Sequence, residues 1–114
     1  MTHDTTGIQA ITAERQRQTE KEGWTPEYDD THTIGQMARA AACYAWAASL
    51  RDGSRRFFDD SPSNWWLTAV IKRLWPWDRE WWKPKDRRAD LVRAGALIAA
   101  EIDRLDRLEE GGGS

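Results

Sequence analysis

The sequence predicts an all-α protein, a small bundle of about four helices with a Trp/Pro-rich loop before the last one. Three observations carry that prediction. Leu91, Ala94, Gly95, Ile98, Ile102 and Leu105 recur at helical spacing near the C-terminus. The stretch from Ile34 to Ala48 is dominated by alanine, the strongest helix former. Neither Trp24 to His32 nor Trp75 to Lys85 alternates apolar and polar residues as a half-buried strand would. With 114 residues, one core is expected, over a domain spanning 1–110 and followed by a flexible, linker-like tail at 111–114.

The elements follow in chain order. Thr5 and Thr6 are suitable caps for a first helix reaching about Glu22, where Gly23 supplies a stop. Its apolar stripe is thin: Ile8 and Ile11 give way to Arg15, Gln18 and Glu22, so that half is either solvated or lines a polar pocket. Trp24 to His32 reads as a loop, since it contains Pro26 and lacks alternation. Thr33 followed by Gln36 fits a capping box for a second helix, roughly Thr33 to Leu50, with a stripe of Ile34, Met37, Ala38, Ala41, Ala45 and Ala48. Arg51 to Ser63 reads as a polar connection carrying Arg55, Arg56, Phe57 and Phe58. Ser61 and Pro62 form a cap and first-turn pair for a third helix ending near Leu74, before Pro76. Trp75 to Lys85 mixes aromatic, proline and charged residues without a period, and is expected to be an ordered aromatic loop. Asp86 is placed to cap the last helix, with Arg93, Glu101 and Asp103 facing away from its apolar stripe.

Composition narrows the function classes. Seventeen basic and nineteen acidic residues give a formal charge of −2, which is not the polycation that neutralises a nucleic-acid backbone. A nucleic-acid partner is therefore not expected. The single cysteine, Cys43, excludes an intramolecular disulfide and a multi-cysteine zinc site, and suits a reducing compartment. Met1 to Thr12 has neither a basic start nor an apolar run, and no stretch approaches the ~20 apolar residues that span a bilayer. A cytoplasmic protein with no membrane partner is expected.

The chemistry-bearing residues form no triad, phosphate loop or zinc motif. His3 and His32 lack partners at ligand spacing. The pairs Asp29/Asp30 and Asp59/Asp60 suit solvated turns as well as they suit a cation. No catalytic residue, metal ligand or cofactor is assigned. Eight tryptophans in a chain that is 32% charged are more informative. Trp81 and Trp82 precede Lys83, Lys85, Arg87 and Arg88 at the expected start of the last helix, where free backbone N–H groups favour an anion. A base could stack on an indole while phosphate oxygens take the cations. The competing reading has these tryptophans plugging the end of the core. A second cluster, Arg15, Arg17 and Gln18 with Trp24 and Tyr28, could clamp a phosphate and a ring from the other side, or be an exposed helix with ordinary ion pairs. The candidate ligand-binding set is Arg15, Gln18, Trp24, Tyr28, Trp81, Trp82, Lys83, Lys85 and Arg88.

Ala13-Glu14-Arg15-Gln16-Arg17-Gln18, the following Gly23-Trp24, and Arg88 to Ile98 through Ile102 to Arg107 resemble small phage and prophage proteins distantly similar to the MazG-like nucleotide pyrophosphohydrolases. The resemblance covers about half the chain. It implies a helical, oligomeric scaffold in a bacterial host cell, with magnesium held by a Glu-Glu-x-x-Glu stretch and a Glu-x-x-Asp stretch. Here the first stretch falls on Met37 to Cys43, which has no carboxylate. Asp90 can stand for the first acid of the second stretch, but Arg93 takes its partner's place. What the resemblance implies is a nucleotide-shaped pocket that binds without cleaving, as a phage protein sequestering a host defence signal would. Two alternatives stand beside it: a divergent magnesium-dependent pyrophosphohydrolase using Asp29, Asp30, Asp90 or Glu101, and an inhibitor that grips a host protein through its Trp-rich loop.

Overall fold

The computed structural model describes residues 5–49 and 65–112. The Ser61–Pro62 cap, the Arg55–Phe58 stretch, the Asp59/Asp60 pair and His3 lie outside them. The described residues are all-α and contain no strand: α1 (Gly7–Lys21), α2 (Pro26–Asp29), α3 (Gln36–Ala48), α4 (Trp65–Leu74) and α5 (Arg87–Gly112), with a 3₁₀ turn at Arg79–Trp81.

Helix α1 starts where its cap chemistry places it. Thr6 Oγ1 accepts from the Gln9 N–H at 3.2 Å, and Gln9 Oε1 accepts from the Thr6 N–H at 2.9 Å, so two orphan donors are satisfied reciprocally. At the other end Gly23 takes φ +72°, a left-handed conformation that costs glycine nothing. That turn lets the Trp24 N–H return to the Gln18 carbonyl at 3.0 Å. The segment expected to be a plain loop contains α2. Thr25 Oγ1 accepts from the Tyr28 N–H at 3.2 Å and Pro26 occupies the first turn. A threonine cap, a proline at the first helical position and acids close behind are together a helix start, and Pro26 opens the turn instead of breaking it.

The start of α3 also differs from expectation. The Thr33–Gln36 capping box does not form, because the chain reverses at Gly35 with φ +81° and Gly35 becomes the N-cap. Gln36 is then the first helical residue, and its Oε1 accepts from the Ile34 N–H at 2.9 Å. The buried face of α3 is Met37, Ala40, Ala41, Cys43, Tyr44, Ala47 and Ala48, while Ile34 is 73% exposed and Ala38 and Ala45 face outward. Alanine fills seven of the thirteen positions of α3, and methyl groups do not choose a face. Tyr44 and Cys43 do.

Helix α5 begins as expected, with Asp86 Oδ1 accepting from the Ala89 N–H at 2.8 Å. Its packing face is rotated from the predicted stripe. Asp90, Ala94, Leu97, Ala100 and Arg104 are buried, whereas Leu91, Ile98, Ile102 and Leu105 are about half exposed. Alanines on both α3 and α5 let those helices pack closely, and the larger aliphatics are left on the flank. Gly95 serves α1 in the same way: a Cβ there would lie 2.5 Å from Ile11 Cδ1. The core joins α3 and α5 to Ile71, Trp75 and Trp82. No helix among the described residues is long and apolar enough to cross a membrane.

Candidate functional site

Between α1, α2, the aromatic segment and the inner faces of α3 and α5 lies a cleft of ≈ 920 Å³. Its walls combine local turns with ring contacts between distant parts of the chain. Gly23 and the Gln18 carbonyl fix Trp24, whose ring sits 6.1 Å from Trp77 with planes at 46°. Trp77 meets His32 edge-on at 5.6 Å, and His32 meets Tyr28 at 4.9 Å. Behind them Trp75 packs edge-on against both Trp77 and Tyr44, at 5.4 and 5.6 Å. The indole N–H of Trp75 donates to the Asp78 carbonyl at 3.0 Å, which orders the turn that carries Trp77. Met37 and Leu97 supply apolar lining.

The cations differ in how firmly the protein holds them. Arg17 is gripped by Glu14, with bonds of 2.7 and 2.8 Å, and by Glu22 at 2.8 Å. Burial works against the ionised form of Glu14, but Arg17 and the charge of Arg93 outweigh it, so its pKa falls. Arg93 lies 5.0 Å from the Tyr44 ring centroid. It donates to the Tyr44 hydroxyl at 3.0 Å and to the Lys83 carbonyl at 3.1 Å, and Glu14 is 3.9 Å away. Lys83 stands 5.7 Å over Trp81, and no carboxylate among the described residues pairs with it. Lys83 and Arg93 therefore bring positive charge to the same cleft as the ring faces.

Two polar atoms at the cleft lack partners among the described residues: Gln18 Oε1 and His32 Nδ1. Gln18 is 0% exposed. Its Nε2 donates to Glu14 Oε2 at 3.2 Å, which fixes the sense of the amide, since a carboxylate only accepts. Burial lowers the pKa of His32 despite the opposing charge of Asp29, so its ring is neutral at physiological pH.

Of the nine residues singled out in the sequence, Gln18, Trp24, Tyr28, Trp81 and Lys83 meet in this one cleft, joining what the sequence presents as two clusters. The other four lie elsewhere. Arg15 is paired with Asp29 at 2.7 Å. Trp82 packs in the core, 4.7 Å from Tyr44. The Lys85 main-chain N–H donates to Asp90 Oδ1 at 2.8 Å, and Arg88 reaches the Thr5 carbonyl at 3.1 Å. Asp86 and Asp90 thus take up backbone donors at the start of α5, where an anion was expected. Arg93, Trp77, His32 and Tyr44 complete the site. Arg93 was expected to face elsewhere because helical periodicity alone set its direction, and its partner Tyr44 is 49 residues away.

The carboxylates considered for an altered metal site are engaged with the protein. Asp29 pairs with Arg15, Asp30 with Arg107 at 2.7 Å and Glu101 with Arg104 at 2.6 Å, while Asp90 accepts from the Lys85 N–H. Among the described residues no three His, Cys, Asp or Glu side chains gather as a metal-binding group. Burial pushes the Cys43 thiol up to about 12, so it is a packed thiol and not a nucleophile at neutral pH. In comparisons with protein families, with curated proteins and with solved structures, the chain finds no match.

Proposed function

We propose that the protein binds a nucleotide-derived anionic ligand in this cleft and holds it intact. The observation that carries the reading is the combination of ring faces, two cations and unpartnered polar atoms around one volume of ≈ 920 Å³. Small-molecule sites commonly have ~300–1,000 Å³, mostly apolar walls and a few placed polar groups. A base stacked on one of these indoles would gain ~1–3 kcal/mol. Lys83 and Arg93 would take the phosphate oxygens, and Arg93 would bring a planar fork suited to them. Binding is favoured over hydrolysis because Asp29, Asp30 and Glu101 are neutralised by arginines and Asp90 accepts a main-chain donor. The resemblance to phage proteins gives such binding a purpose, the sequestration of a host defence signal.

Calorimetric titration with mono-, di- and cyclic nucleotides tests the reading, with the ligand recovered afterwards and analysed. Saturable binding and intact ligand are expected, together with quenching of tryptophan fluorescence. Absence of binding across the panel would overturn it. Magnesium-dependent release of pyrophosphate, abolished in Asp90→Ala, would favour the hydrolase instead. The proposal extends to a homo-oligomer: the exposed aliphatics of α5 form a surface that a second copy of the chain would cover.

A further inference from the structure

We infer that the Tyr44 hydroxyl is itself a donor to the ligand's phosphate, standing beside Arg93 as a second group that holds it. This rests on the nucleotide reading above and adds a residue to its anion subsite. Tyr44 lines the cleft from α3 and is only 3% exposed. Its ring is fixed by Trp75 at 5.6 Å, by Trp82 at 4.7 Å and by the Arg93 guanidinium at 5.0 Å. The position of the hydroxyl is therefore set by packing. There it accepts twice, from Arg93 Nη1 at 3.0 Å and from the Lys83 N–H at 3.5 Å. A phenol carries one hydrogen as well as its lone pairs. Neither bond uses that hydrogen, and among the described residues the hydroxyl donates to no acceptor. What it has left to offer the cleft is a donor.

Arg93 is left in a similar state. Its Nη1 is committed to the Tyr44 hydroxyl and to the Lys83 carbonyl, at 3.0 and 3.1 Å, while its Nη2 makes no hydrogen bond among the described residues. Glu14 stands 3.9 Å from Nε, beyond hydrogen-bond reach. The Glu14 oxygens are taken instead by Arg17, at 2.7 and 2.8 Å. An O–H and an N–H thus belong to adjoining groups on the wall of one cleft, and one of the two groups is cationic. A phosphate matches them, because it brings negative charge together with several acceptor oxygens. Donation from Arg93 into the phenol oxygen also strengthens the O–H as a donor in its turn. Tyr44 therefore acts on both sides of the contact, holding the guanidinium and binding the anion.

The test compares adenosine 5′-monophosphate with adenosine, which differ in the phosphate alone, by titration of the native protein, Tyr44→Phe, Arg93→Met and the double variant. The native protein should prefer the nucleotide. Tyr44→Phe keeps the ring and should reduce that preference at least about tenfold, ~1.4 kcal/mol, with adenosine affinity unchanged. It should reduce the preference again in the Arg93→Met background. A loss in the native background and none in Arg93→Met would make Tyr44 a support for Arg93 only and overturn the inference. An unchanged preference in Tyr44→Phe, or an equal loss for both ligands, would do the same. If adenosine 5′-monophosphate fails to bind the native protein the inference falls, and the other nucleotides of the panel then decide the nucleotide reading by themselves. Should Tyr44→Phe fail to fold, 3-fluorotyrosine at the two tyrosines replaces it as the probe, with Tyr28→Phe assigning the resonances. The Tyr44 fluorine signal should then move with the nucleotide and not with adenosine, and equal movement with both would refute the contact.

Discussion

At the scale of single residues, the burial of His32 between Tyr28 and Trp77 disfavours its protonated form by more than Asp29 favours it. Its folded pKa therefore lies below the ordinary value of 6.5. Between those two values the unfolded chain binds a proton that the folded chain does not, so stability rises with pH through that window and is complete above it. Acidification from roughly pH 8 to pH 5 should lower the melting temperature, and His32→Asn should remove that part of the slope. Asp29 acts with the opposite sign. Burial raises its pKa above 3.8 in spite of Arg15, so its contribution falls as pH rises through the interval just above that value. Subtracting the His32→Asn profile from the native one isolates the histidine. Superimposable profiles would refute the assignment.

Elements here are held by residues whose roles differ in how openly the sequence declares them. The caps at Thr6 and Asp86 are local chemistry over three residues, and both are legible. The start of α2 was equally local, yet Pro26 read as a breaker obscured the Thr25 cap. The faces of α3 and α5 were not legible, because alanine offers little contrast along α3, and the core against α3 takes Leu97 and small residues of α5 while Leu91, Ile98, Ile102 and Leu105 stay half exposed. What secures α2 is the Arg15–Asp29 pair, with the Asp29 side chain 2% exposed and that of Arg15 18%. Arg107 assists from α5 through Asp30 and the Pro26 carbonyl. Arg15→Ala would leave a buried carboxylate without its cation and should cost about 2 kcal/mol, less than the ~3–5 of a fully buried pair because Arg15 keeps some contact with water. The double change Arg15→Met/Asp29→Leu should lose less than the single one. Urea denaturation of the three proteins makes the comparison, and a single-mutant loss below ~0.5 kcal/mol would show that α2 is held by other contacts.

At the scale of the whole molecule, the helical class and the importance of the aromatic segment were readable, whereas the cleft depended on contacts that join Tyr44 to Arg93 and Lys83 across long stretches of chain. The same is true of the surface. Leu91, Ile98, Ile102 and Leu105 remain 53, 49, 51 and 49% exposed, and Leu108 is 62% exposed. Leu91, Ile98, Ile102 and Leu105 recur at helical spacing on one flank of α5, beside the Gly95 position that α1 covers through Ile11. A contiguous aliphatic flank on a chain so rich in charge is costly to leave in water. The homo-oligomer proposed above would seat a second copy on this flank, set antiparallel. The first turns of α5 carry Arg87, Arg88 and Arg93 against Asp90, and its last turns carry Asp103, Asp106, Glu109 and Glu110 against Arg104 and Arg107. The ends thus have opposite net charge and reversal is favoured by that balance, although Arg87 and Arg88 already bond the Ala48 and Thr5 carbonyls. Light scattering coupled to size-exclusion chromatography should therefore give a dimer or a multiple of it. Ile98→Glu combined with Ile102→Lys should dissociate it without loss of helicity, since neither side chain belongs to the core. Raised salt should weaken the native assembly only in part, because its charges are screened and its aliphatic flank is not. A native protein that stays monomeric at about 100 μM, well above the ~1 μM dissociation constant of a modest interface, would refute the pairing.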